Sequence, residues 1–179
     1  MAHLAQFEYF EKLKNKFPIF FKNNKVLEIG SLNINGTCRS FFDNCDYIGV
    51  DLGPGNGVDI VCEGQNLDHP ANSYDVVLSS NCFEHNPFWI ETFNNMYRMT
   101  KPDGLLIMTC ASDGHKEHGT SRSSPKKSPL TIKKGWEYYK NLNEIDFRKN
   151  FNIDSLFQEY EFSSNLVSKD LYFFGFKKS

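Results

Sequence analysis

The sequence lacks any long apolar run. Roughly 20 consecutive apolar residues are needed for a membrane-spanning helix, and no stretch of the 179 residues approaches that length. The first segment, MAHLAQFEYFEKLKNKF, carries charges throughout and has no continuous apolar core of the kind that export signals contain. We therefore expect a protein that is neither exported nor bound to a membrane.

Paired cysteine motifs and a strong excess of charge are also missing. Five cysteines are scattered without a C-x-x-C pair, so the sequence predicts no metal site and no redox motif. They are expected to be reduced thiols of a cytoplasmic protein. The formal net charge is only −2, which gives no reason to expect a nucleic acid as partner. The oligomeric state is left open by these features.

The length and the hydrophobic content of the sequence predict one folded domain over residues 1–179. The chain is long enough for a single core, and 40% of its residues are hydrophobic, among them 17 Phe. Short β-rich runs at its start and middle are typical of buried strands; they cover residues 25–29, 47–51, 58–62, 74–79 and 104–110. Helical apolar spacing is found at residues 3–16 and in the segment after Pro87.

The order of these elements predicts an α/β fold. Continuous apolar strands that alternate with helices indicate a Rossmann-like, doubly wound and mostly parallel sheet with both faces covered. The segment KPDG is predicted as the turn between the second helix and the strand at 104–110. Only LGPGNG separates Asp51 from the next strand, whereas a parallel crossover usually needs a dozen residues or more, so the second crossover is predicted to be reduced.

The later part of the chain is predicted to form a long loop and a C-terminal cap. Residues 111–135 are polar and rich in Ser, Gly and Pro, which predicts a long loop. The segment NLNEIDFRKNF resembles a short helix with Asn141 or Asn143 as its cap. The final KDLYFFGFKK predicts a strand or a hairpin arm, antiparallel to the sheet, at the end of a C-terminal cap with strands over residues 136–179.

The stretch VLEIGSLNINGT is the first feature that points to a ligand. It lies where strand-to-helix loops of open α/β sheets present backbone N–H groups to anionic or polar ligands. A dinucleotide site would require G-x-G-x-x-G, but Leu32 replaces the central glycine between Gly30 and Gly36. Asp51 follows Gly30 by 21 positions (51 − 30) and ends the second strand, where a carboxylate can accept two ribose hydroxyls. S-adenosylmethionine and NAD both offer such hydroxyls.

A wider set of motifs resembles one family. VLEIGS, YIGVDLGPGNGVDIV, YDVVLSSNCFEHNP and MYRMTKPDGLLIMTCA occur in the order and spacing of the class I S-adenosylmethionine-dependent methyltransferases, and together they resemble the group called methyltransferase type 11. The resemblance covers roughly residues 20–112, within a predicted cofactor-binding core at 25–110. It implies that the loop at 111–135 lies on the side of the methyl acceptor.

The resemblance also implies a set of S-adenosylmethionine-binding residues. The first motif lies against the methionine part of the cofactor, the acid after the second strand binds the ribose, and the next acidic stretch meets the adenine. Residues just past the fourth strand approach the amino acid end. The implied residues are Glu28, Gly30, Ser31, Asp51, Leu52, Glu63 with Gln65 as its alternative, Ser80 and Asn81. Glu84 and His85 match an EH pair that is frequent in the family, although His85 is expected to be a structural histidine.

Methyl transfer is an in-line displacement at a sulfonium methyl, so the protein must mainly align the acceptor and exclude water. A hydroxyl or protonated amine acceptor also benefits from a general base, and His118 first and His115 second are the predicted catalytic residues. The expected acceptor is a small molecule or a sugar-like metabolite. Two alternatives stay open: a degenerate methyltransferase fold that acts as a binding subunit, and, disfavoured by the missing glycine motif, a nicotinamide oxidoreductase.

Overall fold

The computed structural model of the chain describes residues 4–179, so His3, the predicted first residue of the N-terminal helix, lies outside the described residues. Helices are α1 (Leu4–Lys16), α2 (Trp89–Met99), α3 (Pro129–Lys134), α4 (Glu144–Asn150) and α5 (Ile153–Leu156). Strands are β1 (Lys25–Ile29), β2 (Asp46–Asp51), β3 (Ile60–Val61), β4 (Tyr74–Ser80), β5 (Thr100–Ala111), β6 (Phe157–Asn165) and β7 (Asp170–Lys177). None of the described helices is long and apolar enough to cross a membrane.

The seven strands form one twisted sheet in the order β3-β2-β1-β4-β5-β7-β6. β1 to β5 pair in parallel, while β7 runs antiparallel to both of its neighbours. The predicted fold class, a Rossmann-like and mostly parallel sheet with an antiparallel C-terminal strand, is confirmed. The chain order also reverses between β1 and β4, which is where such sheets bind ligands.

Each face of the sheet carries its own apolar core, because successive strand residues point to opposite sides. On one face, Val26 and Val76 pack under α1 with Phe10 and Leu13. On the other face, α2, α4 and α5 cover the side chains that alternate with these, and Phe93 lies at the centre of an aromatic cluster with Phe147, Phe151, Phe157 and Phe173.

The crossovers differ from the prediction in one respect. The connection from β2 to β3 contains no helix, as predicted. The connection from β1 to β2 also lacks the α-helix that a strand-to-helix loop implies, and contains only a 3₁₀ turn at Cys38–Phe41. Helix α1 takes the place of that missing helix, since the ring of Phe10 stacks on Phe41 at 5.8 Å between centroids.

Two further predictions are corrected or refined. The segment KPDG does not separate α2 from a strand but bulges within β5, because Tyr74 pairs with Thr100 while Val76 already pairs with Leu105. Asp103 takes a left-handed backbone at the bulge, with φ 59°. Asn143 is the cap of α4, since its side chain accepts from the backbone N–H of Asp146 and the Asp146 carboxylate accepts from that of Asn143.

Candidate functional site

A cavity opens at the carboxyl ends of β1, β2 and β4. Its floor is made by the loops that follow these strands, and its roof by residues 125–136, here called the cavity strap. The strap contains a 3₁₀ turn, α3 and Trp136. The residues that line the cavity from the floor include Glu28, Gly30, Ser31, Leu32, Asp51, Leu52, Ser80 and Asn81. Six strap residues line it from above: Lys127, Ser128, Pro129, Leu130, Thr131 and Trp136.

The loop after β1 is held tightly between the end of β2 and the turn after β4. The backbone N–H groups of Gly30 and Ser31 both donate to the carbonyl of Val50, at 2.8 and 3.1 Å. Gly30 has φ +82°, and a Cβ at this position would lie only 2.6 Å from the Cβ of Cys82. Glycine is therefore required here both by the backbone angle and by the lack of space.

Leu32, which replaces the central glycine of a dinucleotide loop, packs onto the glycine-rich segment LGPGNG. A Cβ on Gly55 would lie 2.2 Å from the Cδ1 of Leu32, so the side chain occupies the space that a larger residue would need. This contact connects two unusual features of the sequence, the leucine in place of the central glycine and the short connection after β2. The bulky residue after β1 is accommodated because a short glycine segment, and not a crossover helix, follows β2.

Asp51 lies at the centre of the cavity floor. Its Oδ2 accepts the backbone N–H of Leu32 at 2.9 Å, and its Oδ1 accepts that of Leu52 at 2.7 Å. Burial raises the pKa of this carboxyl, and the two N–H donors partly oppose the rise. Each oxygen keeps a lone pair for a further donor, so Asp51 can accept from two vicinal hydroxyls of a ligand.

Glu28 is a buried acid beneath the same loop. Only 4% of the residue is exposed, and its Oε2 accepts a hydrogen bond from the hydroxyl of Tyr47 at 2.8 Å. Burial raises the pKa of Glu28 to about 7, although the bond from Tyr47 and the charge of Arg39 act in the opposite direction. The carboxyl is thus poised to gain charge when a cationic group enters the cavity.

The segment after β4 completes the floor. Asn81 adopts a left-handed backbone, with φ 46°, and its N–H donates to the carbonyl of Thr109 at 2.9 Å. The hydroxyl of Ser80 lies 3.2 Å from that of Thr109. These bonds to β5 fix the turn so that both predicted residues line the cavity.

Two predicted adenine contacts are engaged elsewhere. Glu63 and Gln65 do not line the cavity, whereas their neighbours Cys62 and Gly64 do. The Glu63 carboxylate pairs with the ammonium of Lys134 at 2.6 Å and accepts from the side-chain amide of Gln65 at 2.8 Å. Glu63 therefore joins the rim of the cavity to the strap.

The two predicted catalytic histidines lie behind the cavity wall and do not line it. His118 is buried, with 6% of the residue exposed, and its Nδ1 lies 3.1 Å from the carbonyl of Lys116. Burial lowers the pKa of His118 to about 4. His115 is half-buried, and its ring lies 4.8 Å from that of His118.

His85 is the histidine that reaches the cavity. Its ring packs edge-on against His118 at 4.9 Å between centroids. Burial holds the pKa of His85 well below its usual range, and burial raises the pKa of the adjacent Glu84 to about 7. The EH pair in the sequence was the signal for this wall, whereas nothing in the pattern of the strap indicated that Ser128 to Thr131 would cover the site.

The sequence is similar to a known family of domains. A family model described as "Methyltransferase domain" matches residues 1–164. No curated protein matches the sequence at a significant level.

Several solved structures share the fold. Phosphoethanolamine N-methyltransferase 2 of Haemonchus contortus, solved with phosphomonomethylethanolamine and S-adenosylhomocysteine, superposes with a TM-score of 0.65 at 17% identity; the match covers 96% of this chain and 53% of that one. The present chain thus spans about half of that protein's length. A putative methyltransferase of Bacillus halodurans gives a TM-score of 0.63 at 11% identity, with 95% and 99% covered.

A third neighbour is the 1,6-didemethyltoxoflavin-N1-methyltransferase of Burkholderia thailandensis, solved with 1,6-didemethyltoxoflavin and S-adenosylhomocysteine. It superposes with a TM-score of 0.60 at 15% identity, and the match covers 100% of this chain and 93% of that one. At sequence identities of 11 to 17%, these similarities establish a shared fold and not a shared substrate. The matching family model extends over most of the sequence, which confirms the prediction: the chain belongs to the methyltransferase domain family and has the class I methyltransferase fold.

Proposed function

We propose that the protein transfers a methyl group from S-adenosylmethionine to a small-molecule or sugar-like acceptor. One observation carries the proposal. The carboxylate of Asp51 and the Gly30–Leu32 loop lie in one cavity at the carboxyl ends of the parallel strands, and a hydrogen bond joins them. This is the arrangement that can hold a nucleoside through its ribose while the loop passes beside its substituent.

In this proposal, different residues of the cavity floor contact different parts of S-adenosylmethionine. Asp51 accepts from the two ribose hydroxyls, and Leu52 with the backbone near Glu63 and Gln65 lies beside the adenine. Ser31, Ser80 and Asn81 meet the amino acid end. Glu28, whose carboxyl is buried under the loop, supplies negative charge to the cationic ligand. Gly30 allows the close approach of the loop.

The acceptor enters between the floor and the strap. Two solved neighbours, the enzymes of Haemonchus contortus and Burkholderia thailandensis, are described with small-molecule ligands bound, which supports an acceptor of this size. Lys127 and Trp136 line the same space and offer it a cation and an aromatic face. The sulfonium methyl moves in line from sulfur to the acceptor atom, so alignment and exclusion of water are the main tasks of the protein.

A hydroxyl acceptor must lose its proton during the transfer. We assign this proton to His118, with His115 as the second candidate, on the basis of their place in the loop after β5. The Nδ1 of His118 faces the carbonyl of Lys116 at 3.1 Å, so Nε2 is the ring nitrogen that can accept a proton. We further propose a cytoplasmic location, in line with the five free cysteines.

A second candidate function is binding without catalysis. Leu32 in the cofactor loop and the lack of an α-helix in both the first and the second crossover favour a degenerate methyltransferase fold that serves as a binding subunit. Such a protein would have lost its affinity for S-adenosylmethionine.

Calorimetric titration with S-adenosylmethionine and, separately, S-adenosylhomocysteine distinguishes the two functions. We expect micromolar affinity for both ligands in the wild-type protein and its loss in Asp51→Ala. Asp46→Ala, at the opposite end of the same strand and exposed to solvent, is the matched control and should bind like the wild type. No binding of either ligand to the folded wild-type protein would rule out the methyltransferase and favour the binding subunit.

A further inference from the structure

Three buried polar side chains converge beside the cavity, on the turn after β4 and the loop after β5. They are Glu84, His85 and His118. One ligand atom of each residue lies within 4.8 Å of those of the other two. The side chain of Glu84 is 0% exposed and that of His85 4% exposed, and 6% of residue His118 is exposed.

Most polar atoms of this cluster lack a hydrogen bond. Neither ring nitrogen of His85 has a hydrogen-bond partner among the described residues. The Glu84 carboxylate faces the backbone N–H groups of Glu84 and Ala111, which lower its pKa, but neither of its oxygens has a partner in full hydrogen-bond geometry. The Nε2 of His85 lies 3.9 Å from the Oε1 of Glu84, which is too far for such a bond. Unsatisfied buried polar groups are costly, so the cluster favours a species that can be bound by all three side chains.

His118 is already oriented as metal-binding histidines are. Its Nδ1 lies 3.1 Å from the carbonyl of Lys116, so this nitrogen carries the proton and Nε2 presents its lone pair. A histidine that donates one N–H to a backbone carbonyl while the other nitrogen binds a metal is a recurrent feature of metal sites. Two imidazoles and one carboxylate suit zinc and related transition metals, whereas magnesium and calcium prefer oxygen ligands.

The packing holds the three ligand residues together. The ring of Tyr139 packs against His85 at 5.5 Å and against His118 at 5.1 Å between centroids. Gly119 allows the loop to approach His85 closely, because a Cβ at this position would lie 2.6 Å from the ring Cε1. In a tetrahedral zinc site with bonds of about 2.1 Å, ligand atoms are about 3.4 Å apart, so modest side-chain rotations close the observed spread.

We propose that Glu84, His85 and His118 bind one divalent transition-metal ion of the zinc class. The three residues leave a fourth position for water or another small ligand. The ion ties the loop at 112–120 to the turn after β4 and thereby fixes the wall that His85 contributes to the cavity. This site does not depend on methyl transfer. Because the Nε2 of His118 cannot bind a metal and accept a proton at once, His118 can be the base only in the metal-free protein, and His115 is the remaining candidate when the ion is bound.

The test uses the full chain, freed of metal with a chelator and then titrated with Zn²⁺ against a chromophoric competitor. We expect one ion per chain at micromolar affinity or tighter, together with a higher melting temperature. Glu84→Gln and His118→Gln, each of nearly the same volume as the original residue, should weaken binding at least about tenfold. His69→Gln is the control, since His69 lies on another loop, beside Tyr74, and should leave the affinity unchanged.

Titration with Co²⁺ identifies the ligands even where a variant fails to fold. Visible ligand-field bands without a thiolate charge-transfer band would support nitrogen and oxygen ligands. A thiolate band would assign the ion to cysteines and overturn the proposal, as would the absence of Zn²⁺ binding or affinity that is unchanged in the folded Glu84→Gln and His118→Gln proteins. Titration of the metal-free protein with S-adenosylhomocysteine tests the proposed function separately.

Discussion

The carboxylate of Asp51 accepts the backbone N–H of Leu32 at 2.9 Å, which joins the end of β2 to the loop after β1. The other carboxylate oxygen accepts the N–H of Leu52 at 2.7 Å. One side chain thus shapes both loops and still offers lone pairs to a ligand. A substitution at this position should therefore be judged both by ligand affinity and by stability.

Asp51→Asn should separate these two roles. The amide oxygen keeps one of the two loop N–H bonds while the NH2 group faces the other donor, so the fold should persist with a measurable loss of melting temperature. The negative charge and one acceptor are lost, which should raise the Kd for S-adenosylhomocysteine by about 30-fold, because each charge-assisted bond to a ribose hydroxyl contributes roughly 1.5–3 kcal/mol. Calorimetry and thermal unfolding measure the two effects. Unchanged affinity in the folded variant would show that Asp51 does not contact the ligand.

Gly30 and Gly135 offer a matched pair for the cofactor loop. Both have φ +82°, but a Cβ on Gly30 would meet Cys82 whereas a Cβ on Gly135 would meet nothing within 4 Å. Gly135→Ala should cost only the left-handed backbone penalty of roughly 1–2 kcal/mol in the free energy of unfolding. Gly30→Ala should cost clearly more and should abolish ligand binding. Chemical denaturation measures the difference, and equal losses in both variants would contradict the crowding at Gly30.

The strand pattern could be predicted because burial on both faces makes a parallel strand continuously apolar. β6 was not identified individually, since FQEYEFSSN lies at the sheet edge and mixes polar with partly buried residues. The local sequence pattern also did not predict that the connection after β1 has no α-helix. Its place is taken by α1, and the contact between Phe10 and Phe41 that achieves this joins segments distant in sequence.

The candidate site was predictable only where its residues follow strands. Gly30 and Asp51 were found because the ends of parallel strands meet at one edge of the sheet. The position of Glu63 in the sequence predicted a contact with the adenine, and in the structure its carboxylate pairs with Lys134 of the strap. The cluster of Glu84, His85 and His118 combines adjacent residues with one from a distant loop, so no ligand spacing in the sequence predicted it.

The buried acid Glu28 should make stability depend on pH. Its pKa is about 7 in the folded chain against 4.5 as the ordinary value, so between these values the folded state binds more protons than the unfolded state. The free energy of unfolding should therefore fall as pH rises from about 4.5 through 7, by up to roughly 3 kcal/mol from this group. Glu28→Gln should remove that part of the fall and be relatively more stable at pH 8.

Thermal unfolding of wild-type and Glu28→Gln proteins between pH 5 and pH 8 measures this effect. The difference in melting temperature between the two should grow in favour of the variant as pH rises. Glu8→Gln, which changes an exposed carboxyl of α1, is the control and should follow the wild-type curve. Parallel curves for Glu28→Gln and wild type would show that Glu28 is already ionised in the folded protein at pH 5.

The strap should hold the ligand through apolar packing more than through its ion pair. Leu130 lines the cavity, and its Cδ2 would lie 2.9 Å from a Cβ on Gly53, so its side chain spans from the strap to the segment after β2. Lys134 pairs with Glu63, but their side chains are 45% and 22% exposed, and such partly solvated pairs contribute little. Leu130→Ala should thus speed the release of S-adenosylhomocysteine by about fivefold or more, whereas Lys134→Ala should change it by less than about threefold.

Stopped-flow dissociation measures both rates, with the exposed neighbour Lys133→Ala as control. A larger effect of Lys134→Ala than of Leu130→Ala would mean that the ion pair with Glu63, and not the leucine, keeps the strap closed over the ligand.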